Sequence, residues 1–450
     1  MFRVLFLSFF MLPQLLLGQT TIQLTSSVTA RTQASSQGGR SAPSATNPQR
    51  PDRPPAAQIT LEQAINLALA NSPTIRAART QIQQNQAQEI TANLRPNPTL
   101  QWDSQFLPLF SGDFSADNLD QLQQFDIGVG YLFERGHKRQ NRLQAARDTT
   151  AVTTAQIADT ERTLTFNVAQ QFINVLLANS TLQFALEDLN SFQETVNISE
   201  QRYRAGDISE GDYLKIKLQL LQFQTDVSSA RVAKVQALGT LRQLIGYASV
   251  PHDYDCAGDL AYEPLIASLP DLQAKALATR PDLNAAHKGV TAANSQISLA
   301  KANGKVDFNA TASYSHVSGA SSASFFFSVP LPLFDRNQGE IARTRFALTQ
   351  AELTEKATED TVMTDVTNAY EAAASNQDVV KLYVSGYLKQ AQDSRDISQY
   401  AYKGGAATLL DFLDAERSYR STQLAYRQAL AAYMLSVEQL RQATGTRSLP

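Results

Sequence analysis

The sequence has 450 residues, of which 43% are hydrophobic, and a formal net charge of −3. This length suits two ordinary domains or one large architecture. The slightly negative charge argues against nucleic-acid binding, which needs a basic surface, and the single cysteine, Cys256, excludes a disulfide within the chain.

The first 18 residues have the pattern of a secretory signal peptide. Arg3 supplies the basic start, and an apolar segment runs from Val4 to Leu17 before the polar change at Gln19. Roughly 14 apolar residues are too few to span a bilayer, so a membrane anchor is the weaker interpretation. A lipoprotein would carry cysteine in place of Gln19. We therefore expect an exported chain that is not lipidated at the N-terminus.

The rest of the chain is a low-complexity arm followed by a tandem repeat. Residues 19–57 are rich in Ser, Thr, Gln, Pro and Arg and show no periodicity. Residues 199–246 align without a gap with residues 398–445, and earlier motifs recur in the same order. The predicted units are the arm at 19–57, repeats at 58–246 and 271–445, a linker at 247–270 and a tail at 446–450.

Each repeat has the same predicted plan: a short helix, two candidate strands, a very long helix, a glycine-containing turn and a return helix. The long helix should span roughly 100 Å, and the short and return helices together roughly 85 Å, so the two can lie end to end against the long one. Such a hairpin cannot form a globular core alone and should pack beside copies of itself. The predicted helices are 74–95, 138–203 and 211–245, then 282–303, 338–402 and 410–443.

Residues spaced by seven predict a packing seam along the first long helix, as in coiled coils. The seam consists of Val168, Val175, Leu182, Leu189, Val196 and Tyr203.

Four segments alternate between apolar and polar residues, as outer-membrane barrel strands do. The apolar rows lie within 100–106, 125–133, 308–314 and 325–333. A soluble sandwich is the alternative. Because no helix-length apolar run follows the signal peptide, a membrane crossing would have to use strands. The aromatic residues expected at the membrane are Trp102, Phe106, Tyr131, Phe133, Tyr314, Phe325 and Phe327.

Four strands are too few for a barrel, since about eight is the practical minimum, and open strand edges are not tolerated in lipid. The sequence therefore predicts a barrel assembled from several chains. Pro330 and Pro332 cannot donate ladder hydrogen bonds, so they should lie where the fourth strand leaves the sheet.

The turns between the long and return helices carry the candidate functional residues. Gly206 and Gly405 suit helix ends that require a positive φ. The return helices begin with Ser209-x-x-Asp212 and Thr408-x-x-Asp411, which resemble capping boxes. Helix stop and start signals would account for all of these residues.

A functional interpretation rests on Asp411 and Asp414. Their spacing of three places both on one side of the return helix. In a symmetric oligomer they would form stacked carboxylate rings, which select cations.

The repeated plan, the tips Tyr203-x-x-Gly206 and Tyr402-x-x-Gly405, and the segment from Val329 to Gly339 (VPLPLFDRNQG) resemble the TolC family of outer-membrane efflux factors. The resemblance covers residues 58–445. The last segment, together with Leu132-Phe-Glu-Arg-Gly136, is most similar to the heavy-metal-efflux branch of that family.

The resemblance implies an exit duct in the outer membrane of a Gram-negative-type bacterium. It implies a mainly α chain with a small β part, assembled as a homotrimer with a 12-stranded transmembrane β-barrel and a long periplasmic α-barrel. Its implied partners are a periplasmic adaptor protein and an inner-membrane pump of the RND type. No cofactor is implied.

The resemblance also assigns roles to the turns. Asp411 and Asp414 match the family's periplasmic aspartate rings, and Asp212 and Tyr402 match a closing contact between neighbouring helix pairs. A second closing contact of the family is absent, because Ala407 and Gly211 occupy its positions. The tips that receive the adaptor would be formed by Tyr203, Gly206, Ser209, Gly405 and Thr408.

Three other functions are weighed against a metal-efflux duct. Drug export and type I protein secretion fit the same features, and a periplasmic coiled-coil scaffold without a pore is an alternative of another class. An enzyme is the least supported class, because the sequence contains no nucleophile elbow, no His-Glu-x-x-His and no P-loop. Four Met, four His and one Cys are scattered, so no metal site is expected and a pump would choose any metal substrate.

Overall fold

The computed structural model describes residues 57–105, 124–317 and 319–449. The predicted signal peptide, the arm up to residue 56, and Phe106 lie outside the described residues. Within the described ranges the chain is mostly helical with a few short strands. No helix there is both long enough and apolar enough to cross a membrane.

The helices and strands follow the predicted order in both repeats. The first repeat contains β1 (Ala57–Ile59), α1 (Leu61–Asn71), α2 (Pro73–Asn93), β2 (Thr99–Gln105), β3 (Gln124–Phe133), α3 (Lys138–Ala205) and α4 (Glu210–Ile245). The linker contains β4 (Tyr254–Cys256). The second repeat, from the end of the linker, contains α5 (Leu269–Thr279), α6 (Pro281–Asn303), β5 (Phe308–Val317), β6 (Ala320–Ser328), α7 (Gln338–Leu382), a π turn (Tyr383–Tyr387), α8 (Leu388–Lys403) and α9 (Leu409–Thr444).

The second long helix is not continuous, and the prediction of one helix over 338–402 was wrong at this point. The π turn separates α7 from α8, and within it Gly386 has φ 154° and ψ −21°, outside the helical range. Glycine tolerates this backbone because it has no Cβ. The equivalent stretch of α3 is uninterrupted.

Two short helices, α1 and α5, were not predicted. Each begins at a hydroxyl cap: Thr60 accepts a hydrogen bond from the Gln63 amide, and Ser268 accepts one from the Asp271 amide. Each ends where Pro73 or Pro281 starts the next helix, because proline fits the first helical position.

Helices α2 and α4 lie one after the other along α3, as the helix lengths predict. Arg79 of α2 pairs with Glu161 at 2.8 Å, in the first half of α3. Phe223 of α4 stacks on Phe192, in the second half, with ring centroids 4.3 Å apart. Between these contacts, seam residues Val168 and Val175 are fully buried. In the second repeat α7 packs against α6 and α9, and α9 also packs against α3.

The four predicted strands form one antiparallel sheet in the order β2-β3-β5-β6. Apolar residues face one side, and the register brings Trp102, Ile127, Tyr314 and Ala323 into one row. Trp102, Phe325 and Phe327 are each more than 70% exposed on that side. The opposite side is lined mostly by Ser, Thr, Gln, Asp and Gly.

The position of the fourth strand was predicted incorrectly. The apolar row was placed at 325–333, but β6 occupies Ala320–Ser328. Its first half consists of Ala and Ser, which give little hydrophobic signal yet pair fully with β5 through the backbone. Val329 to Leu333 lie beyond the strand, so Pro330 and Pro332 are where the chain leaves the sheet, as predicted.

The linker and the end of the arm contain an unpredicted two-stranded parallel sheet. β1 pairs with β4, so that Ala57 is opposite Tyr254 and Ile59 is opposite Cys256. The Cys256 side chain is buried, and burial raises the pKa of its thiol to about 12. The segment from 247 to 270 therefore ties the start of the first repeat to the beginning of the second.

Candidate gate at the helical tips

The first tip is a left-handed helix end followed by a capped helix start. Gly206 has φ 84°, and the Asp207 amide donates to the Arg202 carbonyl at 2.9 Å, closing the end of α3. Ser209 caps α4: its hydroxyl oxygen accepts a hydrogen bond from the Asp212 amide at 3.1 Å. Gly206 has open space around its Cα, so its left-handed backbone and not crowding is what requires glycine.

The second tip repeats this arrangement. Gly405 has φ 77°, and the Ala406 amide donates to the Ala401 carbonyl at 2.8 Å. Thr408 and Asp411 form a complete capping box in which each side chain accepts a hydrogen bond from the other's backbone amide. The predicted helix caps are confirmed at both tips, whereas the reciprocal bonds of a capping box are present at the second tip alone among these two.

An aromatic core lies directly behind the tips and joins the two hairpins. Phe412 stacks between Phe192 and Tyr402, with centroid distances of 6.3 and 5.4 Å. The Arg202 guanidinium donates to the Tyr402 carbonyl at 2.7 Å and lies 5.3 Å from the centre of its ring. Arg202 thus fastens the end of α3 to the end of α8.

The proposed gate residues fall into two environments. Asp411 and Asp414 are exposed on α9, and Asp414 pairs with Arg417 at 3.2 Å. Tyr402 is only 4% exposed, and its buried hydroxyl has no hydrogen-bond partner among the described residues. Asp212 instead bonds to Ser209 and Lys215 on its own helix. Within one chain, therefore, neither carboxylate ring nor closing contact is complete.

The capping hydrogen bonds also set the charge of two tip carboxylates. The Ser209 hydroxyl lowers the pKa of Asp212, assisted by Lys215. The Thr408 hydroxyl, and then its backbone amide, lower the pKa of Asp411. Both groups are therefore ionised at neutral pH, and each adds a fixed negative charge at the tip end of the hairpins.

A buried charged cluster lies behind the aromatic core, where α3, α4 and α9 meet. Arg420 of α9 pairs with Asp188 of α3 at 2.6 Å and with Asp226 of α4 at 2.5 Å. Its guanidinium also covers the ring of Phe223 at 4.1 Å. Asp188 is 4% exposed. Arg420 therefore joins both helices of the first hairpin to the second.

Sequence reasoning missed Arg202, Asp188 and Arg420, whose partners are distant in the chain. A signal was nevertheless present: the first repeat has the uncharged Leu221 where the second has Arg420. Arg420 makes buried ion pairs that the exposed Leu221 of the first repeat cannot make. The described ranges contain no group of three His, Cys, Asp or Glu side chains arranged as a metal site.

The fold has close counterparts among solved outer-membrane channels. The crystal structures of CusC, described in terms of folding and transmembrane channel formation, match this chain with a TM-score of 0.70 at 21% sequence identity. The match covers 86% of this chain and 92% of that chain. The duplicated hairpins and the small sheet thus have the fold of that channel.

Sequence comparison supplies the family. The protein-family model described as "Outer membrane efflux protein" matches residues 64–247 and 272–446, which make up most of the chain. The chain belongs to the outer membrane efflux protein family, a family of transport channels and not of enzymes, and it is a subunit of an outer-membrane efflux channel.

Two curated relatives illustrate the range of the family. The cobalt-zinc-cadmium resistance protein CzcC of Cupriavidus metallidurans is 24% identical over 382 residues, covering 83% of this chain and 87% of the relative. The pyoverdine export outer membrane protein OpmQ of Pseudomonas aeruginosa is 26% identical over 406 residues, covering 84% and 83%. The prediction of a TolC-type protein similar to the heavy-metal-efflux branch is confirmed.

Proposed function

We propose that the chain assembles as a homotrimer and forms the exit duct of a tripartite efflux system for metal cations. Three sheets would form a 12-stranded barrel in the outer membrane, and three pairs of hairpins would form a periplasmic α-barrel. The observation that carries this proposal is a four-stranded sheet with one exposed apolar side and two open edges.

The sheet supports assembly from several chains. Within the described residues β2 and β6 each pair on one side only, so their other backbone edges are unpaired. In water, an exposed apolar sheet with open edges promotes aggregation. In lipid, open edges do not occur because their backbone hydrogen-bonding groups would be unsatisfied. Pairing β2 of one chain with β6 of the next satisfies both edges. The exposed Trp102, Phe325 and Phe327 then face lipid.

The helices also leave surfaces for a second copy. α4 exposes Leu214, Leu218 and Leu221 along one side, and α8 exposes Ile397 and Tyr400. The internal repeat relates α4 to α9, and α9 packs against α3 of the same chain. The repeat equivalent of that contact is α4 against the α7–α8 helices of a neighbouring chain. Closing these contacts around an axis gives a tube.

The tips fit the docking of an adaptor's helical hairpins. The tip residues that are exposed are Gly206, Ser209, Gly405 and Thr408, whereas the aromatic core behind them is buried. Small residues on a firm base let another backbone approach closely. An inner-membrane pump of the RND type would supply the substrate and the energy.

Metal cations are the proposed substrate because CzcC is named for cobalt, zinc and cadmium resistance and because exposed carboxylates lie near the tips. Export of an organic molecule is the second candidate, and OpmQ, named for pyoverdine export, favours it. For the predicted closing contact, Tyr402 would have to leave its stack with Phe412 to reach Asp212 of the neighbouring helix pair.

The test is single-channel conductance of the detergent-purified protein in a planar bilayer, with the oligomeric mass measured in parallel. We expect a trimer with small, cation-selective currents. The double variant Asp411→Asn with Asp414→Asn should keep the currents but lose most of the cation preference, because it removes six carboxylates from the trimer's inner surface. Asparagine preserves the cap, since its side-chain oxygen can still accept from the Thr408 amide.

The control for this selectivity measurement is Asp378→Asn, an exposed carboxylate on α7 paired with Lys381. It should leave the reversal potential unchanged. A soluble monomer without currents would exclude the duct, and a double variant with unchanged selectivity would exclude the carboxylate rings.

Bulky residues at the tip glycines should abolish export without preventing assembly. Val at Gly206 or Gly405 would be held at a positive φ, a strain of roughly 1–2 kcal/mol confined to the tip. The measurement is substrate resistance of cells beside the amount of trimer in the outer membrane. Gly239→Val is the control, because this glycine lies within α4 with open space around it. Loss of trimer in the tip variants would mean that the glycines serve folding alone.

A further inference from the structure

Two carboxyl groups face each other in the buried seam between the hairpins. Asp188 of α3 and Glu416 of α9 are 4% and 5% exposed, and Arg420, one turn from Glu416 on α9, binds Asp188 at 2.6 Å. Burial and the repulsion of like charges both favour a proton on one of two neighbouring carboxyl groups. We refer to Asp188 and Glu416 as the carboxyl pair.

Every helix around the carboxyl pair contributes a charged or titratable group. Arg420 pairs with Asp188 and Asp226, whereas Arg395 interacts with both members of the pair and also binds Asp396. The groups that surround the pair are Glu187 on α3, Asp226 on α4, Arg395 and Asp396 on α8, and Tyr419, Arg420 and Arg427 on α9.

Burial is what distinguishes this position from its equivalent in the repeat. Glu416 and Arg420 correspond to Lys217 and Leu221 of α4, both of which are exposed. The carboxyl pair therefore lies where α9 packs against α3, behind the aromatic core of the tips, and has no counterpart at the equivalent positions of α4. Separation of the hairpins there would expose both carboxyl groups to water.

We propose that the carboxyl pair is a proton-dependent latch between the α3–α4 hairpin and the α8–α9 hairpin of each chain. With a proton on one of the two carboxyl groups, the hairpins stay together. When the proton leaves, two carboxylates repel each other in a buried seam and the hairpins separate more easily. As a control of tip opening, the latch rests on the proposed function of the chain as a duct.

The sign follows from the environment of Glu416. Burial, and then the charge of Asp188, raise the pKa of Glu416 to about 7, from an ordinary value of 4.5, and burial also raises the pKa of Asp188. Because the pKa of Glu416 is higher in the joined state than in water, protonation of Glu416 stabilises the joined state. This stabilisation is complete below the ordinary pKa of 4.5 and is lost as the pH rises through about 7. Between pH 6 and pH 8.5, opening that exposes Glu416 should become about tenfold more favourable.

The test is amide hydrogen exchange of the purified wild-type oligomer at pH 6 and pH 8.5, corrected for the chemical exchange rate. Amides near Asp188 in α3 and near Glu416 in α9 should open about tenfold more at the higher pH. Glu416→Gln keeps the shape and cannot ionise, so it should remove this dependence and hold opening near its pH 6 level. The matched control is Glu200→Gln, a half-exposed carboxylate on α3 paired with Arg204, which should keep the tenfold change.

The outcomes separate the latch from the duct. A wild-type seam with the same protection at both pH values overturns the latch, and so does a Glu416→Gln oligomer that keeps the full dependence. If Glu416→Gln does not assemble, the wild-type ratio decides. Conductance is recorded on the same samples: a conducting protein with a pH-insensitive seam excludes the latch alone. A non-conducting protein with a pH-dependent seam supports the proton-dependent contact between the hairpins but excludes the duct, and with it the control of tip opening.

Discussion

Replacing Phe325 with arginine is expected to remove the protein from the outer membrane. Phe325 lies in the middle of the apolar side of the sheet, opposite Ala312, and 73% of its surface is exposed. In water, exchanging an exposed phenylalanine for arginine would cost little. On the lipid side of a membrane strand the same change costs about 2–4 kcal/mol near the bilayer centre. The measurement is the amount of heat-modifiable oligomer in the outer-membrane fraction.

The neighbouring residue provides a matched control. Phe326 is also exposed but lies on the polar side of the sheet, opposite Thr311. Phe326→Arg introduces the same charge at the same depth, facing the inside of the proposed barrel, so oligomer should accumulate normally. Equal amounts of both variants would contradict a lipid-facing sheet. Loss of both would point to a folding defect of β6 and would require the test to be repeated at Trp102.

Replacing Arg420 with methionine is expected to loosen the seam between the hairpins severely. Arg420 is the ion-pair partner of Asp188, whose side chain is 2% exposed, and it also binds Asp226. Removing one member of a buried ion pair leaves the other charge uncompensated, at a typical cost of about 3–5 kcal/mol. Methionine retains much of the volume over the Phe223 ring, so the loss reports charge more than packing. The measurement is the unfolding midpoint of the detergent-solubilised oligomer.

Arg417→Met is the control for this prediction, one turn away on the same helix. Arg417 pairs with Asp414, but their side chains are 78% and 61% exposed. Exposed pairs contribute roughly 0–1 kcal/mol, so the midpoint should hardly move. If both variants shift the midpoint equally, the burial of Arg420 has no special energetic importance.

The sequence was sufficient to predict the repeated architecture because its signals are local. Helix ends at Gly206 and Gly405 are specified by backbone conformation, and helix starts at Ser209 and Thr408 by a side chain three residues from its partner. Strand alternation likewise repeats every second residue. These patterns depend on residues that are close in sequence, so they can be recognised without knowing which helices pack against them.

Features that depend on packing could not be predicted in the same way. The π turn contains no proline, and its Tyr383 packs against Tyr426 of α9, a contact with a distant part of the chain. β6 was misplaced because Ala and Ser carry no hydrophobic pattern. At the tips, the exposed carboxylates were foreseen, whereas the burial of Tyr402 results from its stack with Phe412 on another helix. Glu416 was unremarkable in sequence because its partner, Asp188, belongs to the other repeat.

The π turn gives the two long struts of the chain unequal mechanical properties. α3 is an unbroken rod of 68 residues, whereas the corresponding strut is divided into pieces of 45 and 16 residues by a five-residue joint. Bending concentrates where the regular hydrogen-bond ladder of a helix is interrupted. In the proposed trimer, continuous α3 helices and jointed α7–α8 helices would alternate around the axis. Bending at the π turns would then change the width of the tube at the end formed by the tips, while the continuous α3 helices keep the length of the tube constant.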